Sequence, residues 1–545
     1  MFSRKRIVLY AVIAAVLFGF KQADEYFEIS KNLEIFSTVY KTVNSDYVDE
    51  VKPGELMKKG IDAMLASLDP YTNFYTESQA EDAMIMRSGE YGGIGCQSVK
   101  RDNYIYLTAI FKGSPADKAG LRVGDKILEI NGKSFVGKAD EDVGEAIRGA
   151  PNTKVSFLIE RAGTQIPIEL TREEIKTKNV TYIGLINSET GYIRLDHFMM
   201  GAGAEVKEAL LKLKAQGIKQ VVLDLRDNGG GLLHEAVNIV NTFVGIDETV
   251  VESKGRAYDA HKIYKTLDRA TDANIPLVVL VNHHSASASE IVCGAIQDLD
   301  RGVVIGRNSY GKGLVQNVKP LAYRTQMKIT IAKYYIPSGR CIQLLDYSNR
   351  NADGTAGTVP DSLKKKFKTR NGRVVLDGGG VKPDVIVPLT KESNIATSLL
   401  KSFLIFDFAT EFRSKHEQIG DMRNFKVDDQ LYEEFKQFVS TKTFSYLNAS
   451  EKALKQLKEK AQEENYFPEL KADMDKLESS MNKAKTTEMD KNKEEIKLLL
   501  QSEIARRYFY EEAIFLHSFS NDPDVLKAVD ILKQPTEYNT ILGKK

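Results

Sequence analysis

The residues with the clearest capacity for chemistry are those of Asn282-His-His-Ser-Ala-Ser-Ala-Ser-Glu290 and of Gly311-Lys-Gly-Leu-Val-Gln316. An apolar run, Ile275 to Val281, ends in the small-residue cluster, and a helix-like stretch from Glu290 to Leu299 follows. This pattern puts Ser287 at a strand-to-helix turn, where small neighbours leave its hydroxyl uncovered and backbone N–H groups point outward. A serine is a poor nucleophile until a base takes its proton. Lys312 lies 25 residues downstream between two glycines, and burial turns a lysine into a base by disfavouring its charged form. A serine–lysine dyad is therefore one chemistry open to this pattern. A histidine base, His283 or His284, is the alternative; at the strand end, three or four residues before the serine, these side chains would line the cleft rather than reach the hydroxyl. Asp298 beside a lysine would stabilise the ammonium and spoil the base, so it reads as structural. Cys293, inside the helix-like stretch, reads as a small buried hydrophobe.

An attacking serine also needs donors for the oxyanion that develops. The backbone N–H of Ala288 is one candidate. The second comes from the turn Gly229-Gly-Gly231, where missing side chains let backbone approach a ligand closely.

These segments resemble the carboxyl-terminal processing proteases, the tail-specific proteases of family S41. The likeness rests on Ser-Ala-Ser-Ala-Ser-Glu-Ile at 285–291, Gln297-Asp298, Gly311-Lys-Gly-x-Val-Gln316 and Asp-Leu-Arg-x-Asn-x-Gly-Gly at 224–231. It implies that Ser287 is the nucleophile, Lys312 the general base and Gln316 the residue that holds the lysine. It also implies that a glycine of the 229–231 turn, taken here as Gly231 rather than Gly230, is the second oxyanion donor. Leu68-Asp-Pro-Tyr-Thr72, Thr330 to Arg340 and Gly380 to Val387 extend the likeness over about residues 35 to 390. The implied core is a crotonase/ClpP-like sheet layered with helices, needing no metal, nucleotide or redox cofactor.

The elements that must position these residues follow from periodicity. Gly191 to Leu195 reads as a strand, Gly203 to Gln216 as an amphipathic helix, Gln220 to Leu225 as a buried strand and Leu232 to Val244 as the next helix. Repeated units of this kind argue for an α/β core. Upstream, Tyr91-Gly-Gly-Ile-Gly95 reads as a loop whose N–H groups converge on a carboxylate. Tyr104 to Ile110 reads as a strand, Gly113 to Leu121 as a helical turn, and Val123 to Gly132 as a strand closing in an Asn-Gly turn. Together these pieces resemble a PDZ domain, a module that adds an extended peptide to a sheet edge and captures its terminal carboxylate. Tyr91, Gly92, Gly93, Ile94 and Gly95 are then the substrate-binding loop. Arg148 resembles a PDZ arginine that couples peptide binding to the catalytic lysine in some relatives; a solvent-facing arginine at a helix end is the plainer alternative.

The 545 residues divide into a segment 1–24, an N-terminal helical region 25–87, a PDZ domain 88–175 (α+β, mostly β), a protease core 176–394 and a helical extension 395–545. The fold class is multidomain α/β. In the N-terminal region Phe27, Leu33, Phe36 and Val39 recur at helical spacing. In the extension Leu431, Phe435 and Phe438 do so, as do Ile496, Leu500, Ile504 and Tyr508; the charged run 451–495 reads as a solvated face. The basic start Met1 to Arg6 and the apolar run Ile7 to Phe20 read as a signal peptide or uncleaved signal-anchor. That predicts an exported, periplasmic or extracytoplasmic protein: a retained anchor would tether it to the inner membrane by its N-terminus, and a cleaved signal peptide would release it. A net charge of +1 gives no electrostatic case for nucleic acid, and three scattered cysteines give none for a disulfide framework or zinc site. The predicted partners are protein substrates with free carboxyl-terminal tails, with an adaptor protein and a homodimer both open. The rival is a PDZ-containing scaffold whose protease fold is inactive. A β-lactamase-like enzyme is excluded because the residue three after Ser287 is Glu290, not lysine.

Overall fold

The structure, a computed structural model, describes residues 26–544 apart from 352, 390–391, 422–423, 443 and 445–448. The expected export segment lies outside the described residues, and no described helix is long and apolar enough to cross a membrane. The chain forms two compact units, residues up to Ala80 with Gln316–Thr330, and Glu81–Val315 with Ile331–Lys545.

In the smaller unit, helices α1 (residues 26–46) and α2 (Pro53–Ala66) meet where Gly60 lets the Phe36 ring approach. Pro53 opens α2, a position where its missing N–H costs nothing. The predicted helical period of α1 is present, but its apolar positions are solvent-exposed: Phe27 is 69% exposed and Leu33 63%. Asp69 then accepts from the N–H groups of Tyr71 and Thr72, each at 2.8 Å, fixing the turn before β1 (Asn73–Tyr75), which pairs antiparallel with residues 326–328.

Helix α3 (Glu77–Ser88) leads into the larger unit and its PDZ module. Here Tyr91 to Gly93, expected as loop, belong to a strand, β2 (Glu90–Gly93), paired antiparallel with Glu173–Lys176; only Ile94 and Gly95 form the connection onward. Tyr91, Gly92 and Gly93 therefore have ladder partners, Ile175, Glu174 and Glu173, that the sequence pattern does not announce. Strands β3 (Cys96–Arg101), β4 (Tyr104–Ile110) and β5 (Lys126–Ile130) continue the module, with α4 (Pro115–Lys118) between the last two. The Asn-Gly turn is present, Asn131 and Gly132 both having positive φ before β6 (Lys133–Ser134) pairs back onto β5. Helix α5 (Asp140–Ile147) and the hairpin β7 (Lys154–Arg161) and β8 (Thr164–Thr171) close it, and β9 (Glu173–Lys176) is the partner of β2.

The core of the larger unit is a six-stranded sheet. Its order is β10 (Val180–Leu185), β11 (Thr190–Leu195), β12 (Gln220–Asp224), then Leu277–Val281, Val303–Gly306 and Val385–Ile386. Only the β10–β11 pair is antiparallel. Every residue of Gln220–Asp224 and Leu277–Val281 is buried, as expected for parallel strands covered on both faces. On one face pack α6 (Ala202–Ala215), α7 (Leu233–Phe243) and α8 (Ala288–Asp298). On the other, Val222, Val278 and Leu280 meet Phe519, Val525, Ile531 and Leu532, from the end of the chain. The helical extension is thus not one piece. Its middle part is built from α9 (Asn394–Lys401), α10 (Leu404–Lys415), α11 (Asp429–Ser440), α12 (Ala449–Glu463), α13 (Phe467–Thr486), α14 (Glu488–Lys491) and α15 (Lys493–Phe509). There the predicted stripes Phe435, Ile496, Leu500 and Ile504 form a core of their own. The last helices, α16 (Glu512–Ser518), α17 (Pro523–Leu532) and α18 (Pro535–Ile541), return to cover the sheet.

Candidate active site

Ser287 is the residue immediately before α8 and has φ 56° and ψ −113°. A non-glycine residue in that region is strained, and such strain persists only where the surroundings over-determine it. Of the three clustered serines, Ser285 and Ser289 are buried and engaged: their hydroxyls donate to the carbonyls of Leu225 (2.8 Å) and Asn228 (2.9 Å). Ser287 alone is only half-buried. Cys293 is fully buried within α8, and burial pushes its thiol well above the ordinary range. That is the inert form of a thiol.

What surrounds Ser287 is organised by one carboxylate. Glu290 is fully buried and accepts from the Ser287 N–H (2.9 Å), the Ser309 hydroxyl (2.5 Å), the Gly311 N–H (2.7 Å) and the Lys312 N–H (2.9 Å). It therefore ties the serine turn to the lysine loop. Burial pushes this carboxyl above its ordinary value, against the opposing pull of those four donors. Tyr334, on a strand paired with Thr249–Gly255, adds a second tie, its hydroxyl lying 2.6 Å from the Lys312 carbonyl and 3.1 Å from that of Ser287. The glycines flanking Lys312 are there for close approach, since a Cβ on Gly311 would stand 2.5 Å from the Leu344 Cβ. Lys312 itself is half-buried between buried neighbours.

The glycine turn is stapled to the serine turn by Asn228. Its carbonyl accepts from Ala286 N–H (3.0 Å) and Ser289 Oγ, while its side-chain oxygen takes the Gly230 N–H at 2.9 Å. Gly230 has φ 91°, and a Cβ there would lie 2.8 Å from both the Ala288 nitrogen and the Ser287 Cβ. One residue on, Gly231 is pinned against Phe198, whose carbonyl accepts the Leu232 N–H at 2.8 Å. Neither the Ala288 nor the Gly231 N–H has a hydrogen-bond partner among the described residues.

The remaining sequence-predicted residues fall as follows. Asp298 is buried against Arg340 at 2.9 Å and accepts from Ser338 N–H, a structural role. His283 and His284 are exposed, their rings 3.9 Å apart, against each other. Gln316 lies in the smaller unit, where its amide donates to Thr330 Oγ1 at 3.2 Å, and Thr330 N–H in turn donates to Thr72 of the Leu68-Asp-Pro-Tyr-Thr72 turn. Arg148 follows α5, exposed, with its guanidinium 5.9 Å from the Tyr91 ring centroid. Sequence reasoning missed Glu290 and Asn228 as organisers. The first carried a signal: serine followed three residues later by glutamate at a helix start is the capping-box pattern.

The fold defines a multidomain α/β protein in which a PDZ module precedes a largely parallel core sheet and a helical region follows it. Residues 189–347 match peptidase family S41, residues 106–161 a PDZ domain, and residues 395–532 the C-terminal helical domain of probable PDZ-proteases. The chain is 36% identical over 339 residues to a probable CtpA-like serine protease of Staphylococcus aureus (strain COL), an alignment covering 62% of this chain and 66% of that protein. It is 35% identical over 321 residues to the protein of the same description from Staphylococcus haemolyticus (strain JCSC1435), covering 58% and 63%. The chain thus spans just under two thirds of the length of these relatives. Among solved structures it is similar to a photosystem II D1 C-terminal processing protease, with 27% identity, 60% of this chain and 91% of that chain covered, and a TM-score of 0.34. Residues 189–347 thus match the peptidase domain of family S41, with a PDZ-domain match before it and a PDZ-protease helical-domain match after it.

Proposed function

We propose that the protein is a serine endopeptidase that cleaves the carboxyl-terminal region of protein substrates, with Ser287 as nucleophile and Lys312 as general base. The observation that carries this is the shared Glu290 carboxylate, which joins the Ser287 N–H to the Lys312 N–H. In the first step Ser287 Oγ attacks the scissile carbonyl while the neutral Lys312 amine takes its proton. The oxyanion is met by the N–H groups of Ala288 and Gly231, two donors without hydrogen-bond partners among the described residues. Lys312 then returns the proton to the leaving amine, and water, deprotonated by the same lysine, releases the acyl group. Gln316 is assigned to holding the lysine on family resemblance. The PDZ module, through residues 91–95, captures the free carboxylate of the substrate tail, with Arg148 as the coupling residue. The basic N-terminus and the apolar run after it favour export, with the core on the outer side of the membrane; cell fractionation with external protease treatment tests that.

The decisive experiment compares variants on a peptide with a free carboxyl end. Ser287→Ala abolishes cleavage while tail binding by the PDZ module persists. Lys312→Arg is as inactive as Lys312→Ala, because a guanidinium keeps its proton in proteins. Near-normal turnover by the arginine variant would remove Lys312 as the base and return His283 and His284 to consideration.

A further inference from the structure

Arg226 heads the turn that carries the glycine N–H groups. Its guanidinium donates to Asp224 (2.6 Å) and reaches past it to Asp522 (2.8 Å) and Asp524 (2.9 Å) at the start of α17. Arg307, from the loop after Val303–Gly306, binds the same Asp524 at 2.6 Å. Asp224 is already shared with Tyr192 and Arg194, at 2.5 and 3.1 Å. The Asp524 side chain is 2% exposed and that of Arg226 13%, so these pairs work with little solvent screening. Asp522 also caps α17, accepting from the N–H groups of Asp524 and Val525. Helix α17 itself is fixed to the sheet by Val525, Ala528, Ile531 and Leu532. The aspartate therefore stands on an element packed against the core sheet, some 300 residues along the chain from the turn it contacts through Arg226.

We propose, resting on the serine-peptidase reading, that Asp524 is a positioning residue: it holds Arg226, and through Arg226 the turn Asp227 to Gly231 that presents the oxyanion donors. The last helices of the chain are on this view part of the support of the catalytic centre. With the carboxylate gone, Arg226 keeps Asp224 and Asp522 but loses its most buried anchor in the helix, and Arg307 loses its carboxylate. The turn then gains freedom where it faces Ser287.

The test uses the full chain with Asp524→Asn, Asp524→Glu and, as a control on the exposed side of the same helix, Asp530→Asn. Three quantities are read: kcat and KM on a free-carboxyl peptide, inhibition by a peptide boronate that forms a tetrahedral adduct on the serine, and thermal midpoint. Asp524→Asn lowers kcat by ~10-fold with KM unchanged and weakens the boronate by a similar factor, the signature of a misplaced oxyanion donor. Asp524→Glu recovers most of the loss, and Asp530→Asn changes nothing. Should Asp524→Asn fail to fold, Asp522→Asn removes the more exposed partner of Arg226 and produces a smaller change in the same two readouts. A kcat within twofold of wild type, or a fall in kcat with unchanged boronate affinity per folded molecule, overturns the proposal. A wild-type chain that neither cleaves the peptide nor takes the boronate overturns the serine-peptidase reading and the proposal with it, whereas an active wild type with an unaffected Asp524→Asn overturns the proposal alone.

Discussion

At the scale of single residues, Glu290 is where protonation should matter most. As a carboxylate it can accept from all four of its donors; a protonated carboxyl turns one oxygen into a donor facing N–H groups. Burial pushes its pKa above the ordinary value, so the folded chain holds this proton more tightly than the unfolded chain. The sign for stability follows: the contribution of Glu290 falls as pH rises from the ordinary value through the raised one, and acidification does not unfold the protein through this group. Asp224 runs the other way. Burial alone would raise it, but Arg226 and Arg194 outweigh that and hold it far below the usual carboxylate range. Its stabilisation is present above the unfolded value and is lost only as pH falls toward the depressed one. Both groups therefore leave the fold standing in mild acid while the bridge between Ser287 and Lys312 comes apart. A lysine base contributes one proton to the acid limb of kcat/KM, and Glu290 adds a second. The slope of log(kcat/KM) against pH should steepen from one to two above the ordinary glutamate value of about 4.3, with circular dichroism unchanged over the same interval. Glu290→Gln should keep slope one throughout, at a lower rate. A single slope in the wild type would show that the Glu290 proton does not control the site.

At the scale of elements, the glycine turn separates positions that look alike in sequence. Gly230→Ala puts a methyl 2.6 Å from the Ala286 carbonyl and 2.8 Å from the Ala288 nitrogen, at a φ of 91°. Backbone cannot yield there as a flexible side chain would, so activity should disappear and stability should fall by about 1–3 kcal/mol. Gly229→Ala meets nothing within 4 Å and should retain most activity; equal damage by both substitutions would show that the turn as a whole, not the contact at Gly230, is sensitive. The same local chemistry explains what was legible beforehand. Tyr104–Ile110, the Asn131-Gly132 turn and the strand-to-helix turn at Ser287 were readable because their signals are carried by adjacent residues. Helix α8 begins two residues earlier than its apolar pattern because Ser287 precedes its first turn. The role of Glu290 was hidden because its donors arrive from Ser309 to Lys312, about twenty residues on. Tyr91–Gly93 read as loop because glycines weaken a strand pattern, and their partner, Glu173–Lys176, lies some 80 residues away. Periodicity placed α1 as a helix but could not say whether its apolar face would be covered.

Across the whole of the larger unit, the helical region touches both the PDZ module and the core sheet. Arg101, at the end of β3, donates to both carboxylate oxygens of Asp407 on α10, at 2.6 and 2.8 Å, and its guanidinium lies 5.3 Å from the Phe403 ring centroid. Tyr510, just after α15, donates to Asp117 at 2.7 Å, and a Cβ on Gly124 would lie 2.4 Å from a methyl of Thr410. A bidentate arginine–carboxylate pair fixes orientation as well as distance. Because Arg101 and Asp407 are each 28% exposed, solvent screening keeps their stabilisation near ~1 kcal/mol. Breaking the pair should therefore loosen the PDZ module without unfolding it. Arg101→Asp should speed hydrogen exchange in β3 and α10 and raise KM for a free-carboxyl peptide, leaving kcat at saturation unchanged, in contrast to the kcat effect expected at Asp524. Adding Asp407→Arg should restore both, since the swapped pair can form the same two hydrogen bonds. Amidating the peptide should abolish the KM difference between wild type and Arg101→Asp, because the module then has no carboxylate to capture. If exchange in β3 and α10 were the same in all three proteins, the PDZ module would be held by its other contacts with the helical region, among them Tyr510 with Asp117 and Lys112 with Glu512, and the arginine pair would be dispensable for its placement.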